Sequence, residues 1–408
     1  MTTVVQKYGG SSVATVARIG MVADRIARTR AAGLSVVVVV SATGDTTDEL
    51  LRLAARVSAA PHPRETDQLL ATGECASAAL LAMALRERGV PAVSLTGGQA
   101  GFRVSGPHGG GSVERIRTGR VESLLAAGNV VVVAGFQGVN AAGDVVTLGR
   151  GGSDTSAVAL AAELRARTCQ IYTDVAGVFT ADPRIVPAAR LLHVVPAGVM
   201  AELAFAGARV LHARSVELAQ MSEVDIEVRD SASDGPGTLV ESRRDVLEER
   251  SCVVAVADDR DVVLVTTDAV PPGALLHLLA EQAVQPDLFA FAAPGRCGFT
   301  VTAAGAARLR EPLACLVAAA GGEAVADAAV GKVSLVGTGL LSRPQLTAQM
   351  LSELAVAGIA PSWVGASQSR VSAVVPAADT VRAAVVLHRA FGLDRAPATA
   401  PGPEPVTA

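Results

Sequence analysis

The sequence predicts an α/β protein in which a three-layer α/β sandwich is followed by two ferredoxin-like βαββαβ modules. Two observations lead to this prediction. Short, strongly apolar strands alternate with helical stretches through roughly the first 245 residues, a pattern typical of a parallel sheet covered by helices. Beyond residue 252 a strand–helix–strand–strand pattern appears twice with a period of about seventy residues, which indicates paired copies of one small module.

The elements of the first domain, 1–245, follow from their apolar patterns. The segment 35–41 is apolar almost throughout, so we expect it to be an inner strand buried on both faces. Ser153 and Asp154 precede an Ala- and Leu-rich stretch and predict a capped helix that runs through Leu164. The predicted strands are 4–8, 35–41, 92–95, 130–136 and 170–173, and the other predicted helices are 13–28, 48–57 and 67–88.

The chain changes character between residues 231 and 252. A turn cluster rich in Ser, Asp, Gly and Pro, 231–237, is followed by the charge-rich stretch 241–250, which together predict a domain boundary. Turns at Pro272 and Pro344 open the first helix of each repeat. The predicted divisions are a first module at 252–330, a second module at 331–394 and a disordered tail rich in Pro and Ala at 395–408.

Composition excludes several classes of protein. The net charge of −4, the pI near 5.9 and an aromatic content of 3% leave neither a basic footprint nor a stacking platform for nucleic acid. No uninterrupted apolar run reaches membrane-spanning length, and no signal segment opens the chain, so we expect a cytoplasmic protein without a membrane partner. The five cysteines and six histidines are dispersed, which argues against a disulfide framework and a metal cage.

The first chemical motif is Lys7 at the end of the first strand, followed by Tyr8 and the pair Gly9-Gly10. The chain has only two lysines, Lys7 and Lys332, and uses arginine elsewhere. A lysine beside glycines suits a migrating phosphoryl group, because the backbone can approach closely and a compact charge can follow the oxygens. A strand end followed by an ordinary turn explains the same residues equally well.

The second motif is the run 147–156, which contains Arg150, two glycines and the expected helix start at Ser153 and Asp154. Amide groups at a helix start form an anion site, and a guanidinium can bind a carboxylate through two hydrogen bonds. Asp154 adds a negative group close to the reacting centre. A capped helix after a glycine turn explains the glycines and Ser153 but not Arg150, so we favour a functional site.

A third group of polar residues follows predicted strands, where ligands of open α/β sheets bind. In 172–184, a Thr-Asp pair, an aromatic ring and an arginine could hold a nucleotide, and 41–47 ends the second strand with hydroxyls. Glu74, in an apolar helix, could pair with a substrate ammonium. The P-loop and protein-kinase motifs are absent. Phosphoryl transfer would therefore rely on lysine, glycine-loop amides, helix N-termini and magnesium.

Together these residues strongly resemble the aspartokinase (aspartate kinase) family within the wider amino-acid kinase fold. The matching stretches, in chain order, are 7–13, 135–139, 147–154, 172–184 and 207–216. The likeness covers residues 1 to about 245 almost continuously, and the repeated modules look like the tandem ACT domains of such kinases. Several long motifs in the right order make this resemblance specific.

The resemblance implies transfer of the γ-phosphoryl group of ATP to the side-chain carboxylate of L-aspartate, giving 4-phospho-L-aspartate, with Mg²⁺ as cofactor and no set of protein metal ligands. It also implies an amino-acid effector at the ACT modules and a homo-oligomer formed through them. By position, Lys7 would stabilise the transferred phosphoryl and Asp154 would orient charged groups around the acceptor. Arg150 would bind the α-carboxylate and Glu74 the α-ammonium.

The remaining residues implied by the resemblance form two sets. The substrate set is completed by Thr47, Gly151, Gly152 and Ser153. The nucleotide set comprises Lys7, Tyr8, Gly9, Gly10, Ser41, Thr173, Asp174, Phe179, Asp182, Arg184 and Arg209. Relatives usually carry a lysine in place of Arg209 and a tyrosine in place of Phe179. Arginine keeps the charge but changes the geometry, which predicts a reduced rate.

The ACT half departs further from the family pattern. The region 288–296 lacks a Gln-Asn pair common in relatives, Gln345 replaces a glycine, and Gly365-Ala366 stands where hydroxyl residues are common. A site without hydrogen-bonding partners loses affinity for an amino acid. We therefore hypothesise weakened or altered lysine and threonine feedback, as would suit a kinase of a specialised pathway. Two alternatives stay open: a kinase for another amino acid, and a catalytically weak or silent ACT-containing regulatory paralogue.

Overall fold

The structure, a computed structural model, describes residues 2–242, 252–293 and 295–395. These residues form two compact units, each with its own hydrophobic core. The first unit consists of the described parts of Met1–Val178, Leu191–Ala204 and Arg209–Leu247, and the second of those of Phe179–Arg190, Phe205–Ala208 and Glu248–Ala408. The first unit thus differs from the predicted domain 1–245 by two short segments that belong to the second.

The chain up to residue 242 alternates strands and helices as predicted. The strands are β1 Thr3–Tyr8, β2 Ser35–Val40, β3 Ala92–Leu95, β4 Phe102–Ser105, β5 Ser112–Ile116, β6 Val130–Ala134, β7 Gln137–Val139, β8 Val145–Thr147, β9 Thr168–Thr173, β10 Val178–Phe179, β11 Leu191–Leu192, β12 Val194–Pro196, β13 Asp225–Asp230 and β14 Thr238–Glu241. The helices are α1 Val16–Ala31, α2 Thr46–Val57, α3 Pro63–Glu87, α4 Gly119–Ala126, α5 Gly152–Glu163, α6 Ala197–Ala206 and α7 Ala213–Met221.

An eight-stranded sheet of order β12-β14-β13-β9-β1-β2-β6-β3 forms the centre of the first unit. Strands β13, β9, β1, β2, β6 and β3 are parallel, and β14 is antiparallel to β13. A smaller sheet has the order β5-β4-β7-β8. Residues 36–40 are all buried, as expected of an inner parallel strand.

Helices cover both faces of the large sheet. Side chains alternate along β1, so Tyr8 joins the core formed with α1 and α3, whereas Lys7 meets α5 on the other face. This arrangement is the predicted three-layer sandwich. It also places the amino end of α5 beside the carboxyl end of β1, because Lys7 is the next-to-last residue of that strand.

Three local predictions differ from the structure. Helix α1 begins at Val16 and not at 13, because Gly10–Val13 forms a 3₁₀ turn and Thr15 caps the helix by accepting from the Arg18 amide. Ser153 and Asp154 do not cap α5; they lie in its first turn, and Gly151 occupies the N-cap with φ +68°. The turn cluster 231–237 joins the antiparallel strands β13 and β14 inside the first unit, so this unit ends later within the predicted boundary stretch 231–252.

Helix α3, in the part of the chain that the structure describes, is long and apolar enough to cross a membrane by length and composition. Half of the most apolar stretch of 18 residues in this helix is buried inside the protein. Its side chains Leu81 and Leu85 pack in the main core. These observations make α3 a core helix of the sandwich.

The second unit contains two four-stranded sheets. Its strands are β15 Cys252–Asp259, β16 Val263–Thr267, β17 Asp287–Ala293, β18 Arg296–Val301, β19 Ala324–Asp327, β20 Val330–Thr338, β21 Trp363–Ala366 and β22 Arg370–Pro376. Its helices are α8 Pro272–Glu281, α9 Ala303–Ala320, α10 Pro344–Val356 and α11 Thr380–Ala390. The sheet orders are β17-β18-β16-β19 and β15-β20-β22-β21, which are those of βαββαβ modules.

The two modules are not consecutive in the chain, in contrast to the predicted division at residue 330. Strand β15 pairs antiparallel with β20, so it supplies the fourth strand of the C-terminal module. The other module, 263–327, is inserted between β15 and β20. The predicted tail lies outside the described residues from 396 onward, as does most of the charge-rich stretch 241–250.

Candidate active site

The carboxyl ends of four parallel strands, β1, β2, β6 and β9, lie along one edge of the large sheet. Tyr8 is in register with Val40 and with Tyr172, so these strands end together. Ligands of open α/β sheets bind at such an edge. The segments that leave it begin at Gly9, Ser41, Gly135 and Asp174.

An ion pair joins the two predicted catalytic residues. Lys7 Nζ lies 2.6 Å from Asp154 Oδ1, and each side chain keeps 12% of its surface exposed. The pair therefore stands at the edge of the sheet with limited access to solvent, where water screens charges weakly. The ammonium group is fixed by Asp154 at the start of α5, whose amide groups point the same way.

Glycines line the turn after β1. The Gly9 amide donates to the Tyr172 carbonyl at 3.2 Å, and a Cβ at Gly9 would lie 3.6 Å from Lys7 Nζ. A Cβ at Gly10 would lie 2.7 Å from the Ala42 carbonyl oxygen, so a side chain cannot fit there. Gly10 is thus needed for close packing on Ala42, and the absence of a side chain at Gly9 leaves the backbone beside the Lys7 ammonium uncovered.

The side chain of Tyr8, a member of the expected nucleotide set, lies in the core and away from the edge of the sheet where the nucleotide was expected. Its side chain is fully buried and stacks on Tyr172, with ring centroids 4.7 Å apart and planes at 7°. Its hydroxyl donates to Gln6 Oε1 at 3.3 Å. The ring lies in the core because Tyr8 follows Lys7 and points to the opposite face, which leaves its backbone alone at the edge.

Glu74 is a buried carboxylate next to this edge, with 3% of its surface exposed. Oε1 accepts a hydrogen bond from the Ala42 amide at 3.1 Å, and Oε2 has no partner among the described residues. Gly73 allows the approach, since a Cβ there would lie 2.8 Å from the Ala42 Cβ. Burial raises the pKa of Glu74 to about 7, although the Ala42 amide acts in the opposite direction.

The start of α5 presents Arg150 to solvent. The Arg150 side chain is exposed and makes no ion pair with a described residue, while Ser153 is buried in the first turn. Gly151 must be glycine, because its φ is +68° and a Cβ would lie 2.3 Å from the His212 ring. Gly152 is equally confined, since a Cβ would lie 2.8 Å from Phe136.

The hydroxyl residues after β2 lie near the same edge. The Ser41 amide donates to the Tyr8 carbonyl at 3.1 Å, and Ser41 is half-buried. Thr47 is half-buried in the first turn of α2. A hydrogen bond of 3.0 Å between the hydroxyls of Thr43 and Ser77 ties this segment to α3.

The nucleotide set is divided between the two units. Thr173 ends β9 and Asp174 follows it in the first unit, where the Thr173 hydroxyl donates to Asp174 Oδ1 at 3.1 Å. Arg209 is exposed in the same unit. The members in the second unit are Phe179, Asp182 and Arg184. There, Arg184 Nη2 lies 2.7 Å from Asp182 Oδ2, and this contact lowers the pKa of Asp182.

Three residues at this site escaped prediction. Asp67 is 1% exposed and accepts hydrogen bonds from both the amide and the hydroxyl of Thr147. Arg214 donates to the Leu148 carbonyl at 2.8 Å. His212 packs against Gly151; burial lowers its pKa, and Nδ1 has no partner within the described structure. In the sequence, His212 and Arg214 were included only as part of the stretch that resembles the family, with no role of their own. No sequence pattern singled out Asp67 as a site residue.

The class that this fold and site define is that of the amino acid kinases. The model of the amino acid kinase family matches residues 2–230, and a model of the ACT domain matches 333–391. The first match covers more than half of the chain and includes the Lys7–Asp154 pair.

Proteins similar over nearly the full length narrow this class. The aspartokinase of Mycolicibacterium smegmatis is 47% identical over 407 residues, covering 96% of this chain and 97% of that protein. An aspartokinase of Thermus thermophilus is 42% identical over 407 residues, covering 97% of this chain and 100% of that protein. The chain belongs to the aspartokinase family, which confirms the resemblance found in the sequence.

Solved structures agree with this assignment. Aspartokinase III of E. coli in complex with aspartate and ADP (R-state) superposes with a TM-score of 0.82 at 25% identity, covering 95% of this chain and 99% of that one. The same enzyme in complex with lysine and aspartate (T-state) gives a TM-score of 0.74, again at 25% identity and with the same coverage. The predicted fold class is thereby confirmed.

Proposed function

We propose that the chain is an ATP-dependent aspartate kinase that phosphorylates the side-chain carboxylate of L-aspartate. The observation that carries the proposal is the 2.6 Å Lys7–Asp154 ion pair, set between a glycine turn and the start of α5 at the carboxyl edge of the sheet. Relatives named aspartokinase at 42–47% identity support the same activity.

Acceptor recognition is assigned to two opposite charges. The exposed guanidinium of Arg150 binds the α-carboxylate through two hydrogen bonds. The unpartnered oxygen of Glu74 accepts from the α-ammonium, which compensates a carboxylate that is otherwise costly to ionise. Thr47, Ser153 and the glycines beside Arg150 complete the surface around the amino acid.

The reaction needs charge compensation more than proton transfer. An aspartate side chain is ionised at neutral pH, so its oxygen can attack the γ-phosphorus of ATP without a general base, and the bond to the ADP oxygen breaks. Lys7 follows the charge on the transferred group, and Asp154 fixes the position of the ammonium. Asp154 is therefore an orienting residue and not a proton acceptor.

Mg²⁺ is proposed to enter with the nucleotide. No cluster of three or more His, Cys, Asp or Glu side chains able to hold a metal occurs among the described residues. Mg²⁺ commonly binds through substrate phosphates and one or two carboxylates, with water completing its shell. Asp154 and Asp174, near the edge where the phosphates would lie, are the carboxylates that fit this role.

The activity is tested by trapping the acyl phosphate with hydroxylamine in the presence of ATP, Mg²⁺ and a panel of amino acids. We expect a hydroxamate signal with L-aspartate and none with L-glutamate or with aspartate lacking its α-carboxylate. Lys7→Arg should abolish turnover, since a planar fork cannot replace a compact ammonium beside Gly9. The matched control is Lys332→Arg, the same change at the other lysine, which is 3% exposed in the second unit. Once unfolding measurements show that this variant is folded, its turnover should stay within about threefold of the unmodified chain.

Two results would contradict the proposal. A signal with another acceptor but not with aspartate would indicate a kinase for that amino acid. No signal with any acceptor, in a folded protein that binds ATP, would indicate the regulatory paralogue. Equal loss in Lys7→Arg and Lys332→Arg would remove the special role of Lys7.

An amino-acid effector is proposed for a cavity of about 430 Å³ in the second unit. Its lining includes Arg296, Asp268 and Glu323, together with Thr266 and Trp363. A guanidinium and two carboxylates suit the α-carboxylate and α-ammonium of a free amino acid.

Feedback control by such an effector is proposed to be weakened or altered, because the hydrogen-bonding residues usual in the ACT modules of relatives are replaced. Inhibition by millimolar lysine plus threonine to the extent typical of biosynthetic relatives would refute this.

Assembly through the ACT modules is proposed from their outer strands. Strands β17 and β21 are at the ends of their sheets and carry the exposed apolar side chains Phe291 and Val364. Edge strands with exposed apolar side chains are common sites of pairing with another chain. Light scattering should give a dimer or a larger assembly, and a monomer at micromolar concentration would refute assembly through the ACT modules.

A cytoplasmic location is proposed as well, and the use of ATP as the phosphoryl donor supports it.

A further inference from the structure

Two charged side chains hydrogen-bond to the backbone of the loop that carries Arg150 and of the residue before it. The loop, 148–151, connects β8 to α5. Asp67 from α3 holds the residue before it, and Arg214 from α7 holds its first residue. Arg150 itself has no partner among the described residues, so its direction is set by the backbone on which it stands.

Asp67 accepts more hydrogen bonds than an ordinary helix residue needs. Oδ1 accepts from the Thr147 hydroxyl at 2.6 Å, and Oδ2 accepts from the Thr147 amide at 3.0 Å. The Gly109 amide donates to both oxygens, and His108 Nδ1 lies 2.9 Å from Oδ2. A carboxylate that is 1% exposed is tolerated only when it is fully hydrogen-bonded, as this one is.

Arg214 bridges the same two segments from the other helix. Nη1 donates to the Leu148 carbonyl at 2.8 Å, and Nη2 donates to the Gly111 carbonyl at 2.9 Å. The Gly111 amide in turn donates to the Thr147 carbonyl at 2.9 Å. The glycine-rich segment 106–111 is thus attached to the Arg150 loop at several points, and a Cβ at Gly111 would lie 2.5 Å from Val104.

We propose that Asp67 and Arg214 are positioning residues for the acceptor amino acid, acting through the Arg150 loop. This inference rests on the proposed function, because it takes Arg150 as the group that binds the α-carboxylate. Neither residue touches the acceptor. Each fixes the position and direction of the backbone from which the Arg150 side chain projects. A displacement of about 1 Å at such a position can lower the reaction rate a hundredfold.

Helix α3 supports both proposed contacts to the acceptor. Seven residues beyond Asp67 it also carries Glu74, the proposed partner of the α-ammonium, so α3 positions the α-ammonium contact directly and the α-carboxylate contact through the Arg150 loop. A shift of α3 would therefore move the carboxylate and ammonium contacts together. This shared support keeps the distance between the two contacts constant, as the fixed spacing of the α-carboxylate and α-ammonium of an amino acid requires.

The test compares Asp67→Ala with the conservative Asp67→Asn, alone and in an Arg150→Ala background. Asparagine can donate to the Thr147 hydroxyl and still accept from both amides, so it should keep the KM for aspartate within about threefold. Alanine should raise that KM roughly tenfold to hundredfold, with the KM for ATP changed less than about twofold. In the Arg150→Ala background, Asp67→Ala should add less than about threefold, because the residue it acts through is gone.

A second variant guards against misfolding of Asp67→Ala. Arg214→Lys keeps the charge but can reach only one of the two carbonyls, and it should raise the KM for aspartate about fivefold to tenfold with the KM for ATP unchanged. Calorimetric binding of aspartate gives the same comparison without turnover. Independent, multiplying effects of Asp67→Ala and Arg150→Ala, or equal losses for both substrates, would overturn the inference. An unmodified chain that forms no aspartyl hydroxamate would instead overturn the proposed function.

Discussion

The ionisation of Glu74 links the stability of the first unit to its substrate. The carboxyl is 3% exposed, only one oxygen accepts a hydrogen bond, and burial raises its pKa from 4.5 to about 7. A folded-state pKa above the unfolded value means that the folded chain holds the proton more tightly. The stabilisation is fully present below about pH 4.5 and is lost as the pH rises through 7.

The size of this effect follows from the shift. One pKa unit corresponds to about 1.4 kcal/mol, so between pH 5 and pH 8 ionised Glu74 costs the folded state roughly 2.5 kcal/mol. Glu74→Gln removes that cost. The difference in unfolding free energy between Glu74→Gln and the unmodified chain should therefore grow in favour of the variant by about 2.5 kcal/mol over this range, or about 5–10 °C in Tm.

The assay is thermal and denaturant unfolding of both proteins at pH 5 and pH 8, with Glu87→Gln as the control at an exposed position near the end of the same helix. Glu87→Gln should show no such pH dependence. Saturating aspartate at pH 8 should stabilise the unmodified chain and not Glu74→Gln, and the KM for aspartate should rise as the pH falls below 7. A pH-independent difference between Glu74→Gln and the unmodified chain would refute the reasoning.

Three further changes test other parts of the molecule. Gly151→Ala forces a side chain into the space of the His212 ring at φ +68°, so it should destabilise the first unit by about 1–3 kcal/mol in denaturant unfolding; full stability would contradict the strained turn. Asp287→Ala leaves the buried cation Lys332, 2.8 Å away, without its main partner and should lower the unfolding free energy of the second unit by about 3 kcal/mol; an unchanged denaturation midpoint would show that the pair contributes little. Arg296→Ala should abolish the response to whichever amino acid inhibits or activates the enzyme, with unchanged basal turnover; a retained response would place the effector elsewhere.

Local signals were sufficient for the framework of the catalytic half. The apolar segments predicted as strands coincide with β1, β2, β3, β6 and β9 within about two residues, because buried parallel strands need continuous apolar sequence. Lys7 and Asp154 were singled out separately, from a glycine pair and from a helix start. The structure adds that they touch, which follows from the parallel pairing of distant strands.

Other features depend on contacts that sequence patterns do not record. Asp67 looks like any acid in the first turns of a helix, and its partner Thr147 is 80 residues away. The burial of Glu74 depends on Gly73 and on the contact with Ala42 after β2, neither of which a local pattern records. The strand β15 was grouped with the module that follows it, since adjacency in sequence is the usual rule, but it pairs with β20 instead.

The insertion of one ACT module between β15 and β20 imposes an order on folding during synthesis. Strand β15 leaves the ribosome first, but its partner β20 appears only after the whole segment 263–327 has been made. Asp259 and Lys332 face each other across the finished ladder, so the inserted module must bring its two ends together for the ladder to close. A folded insert makes that closure inexpensive in chain entropy, whereas an unfolded one leaves a loop of about seventy residues. We therefore expect the C-terminal module to close faster once the inserted module 263–327 has folded, and a nascent chain stalled before β20 to expose the unpaired strand β15.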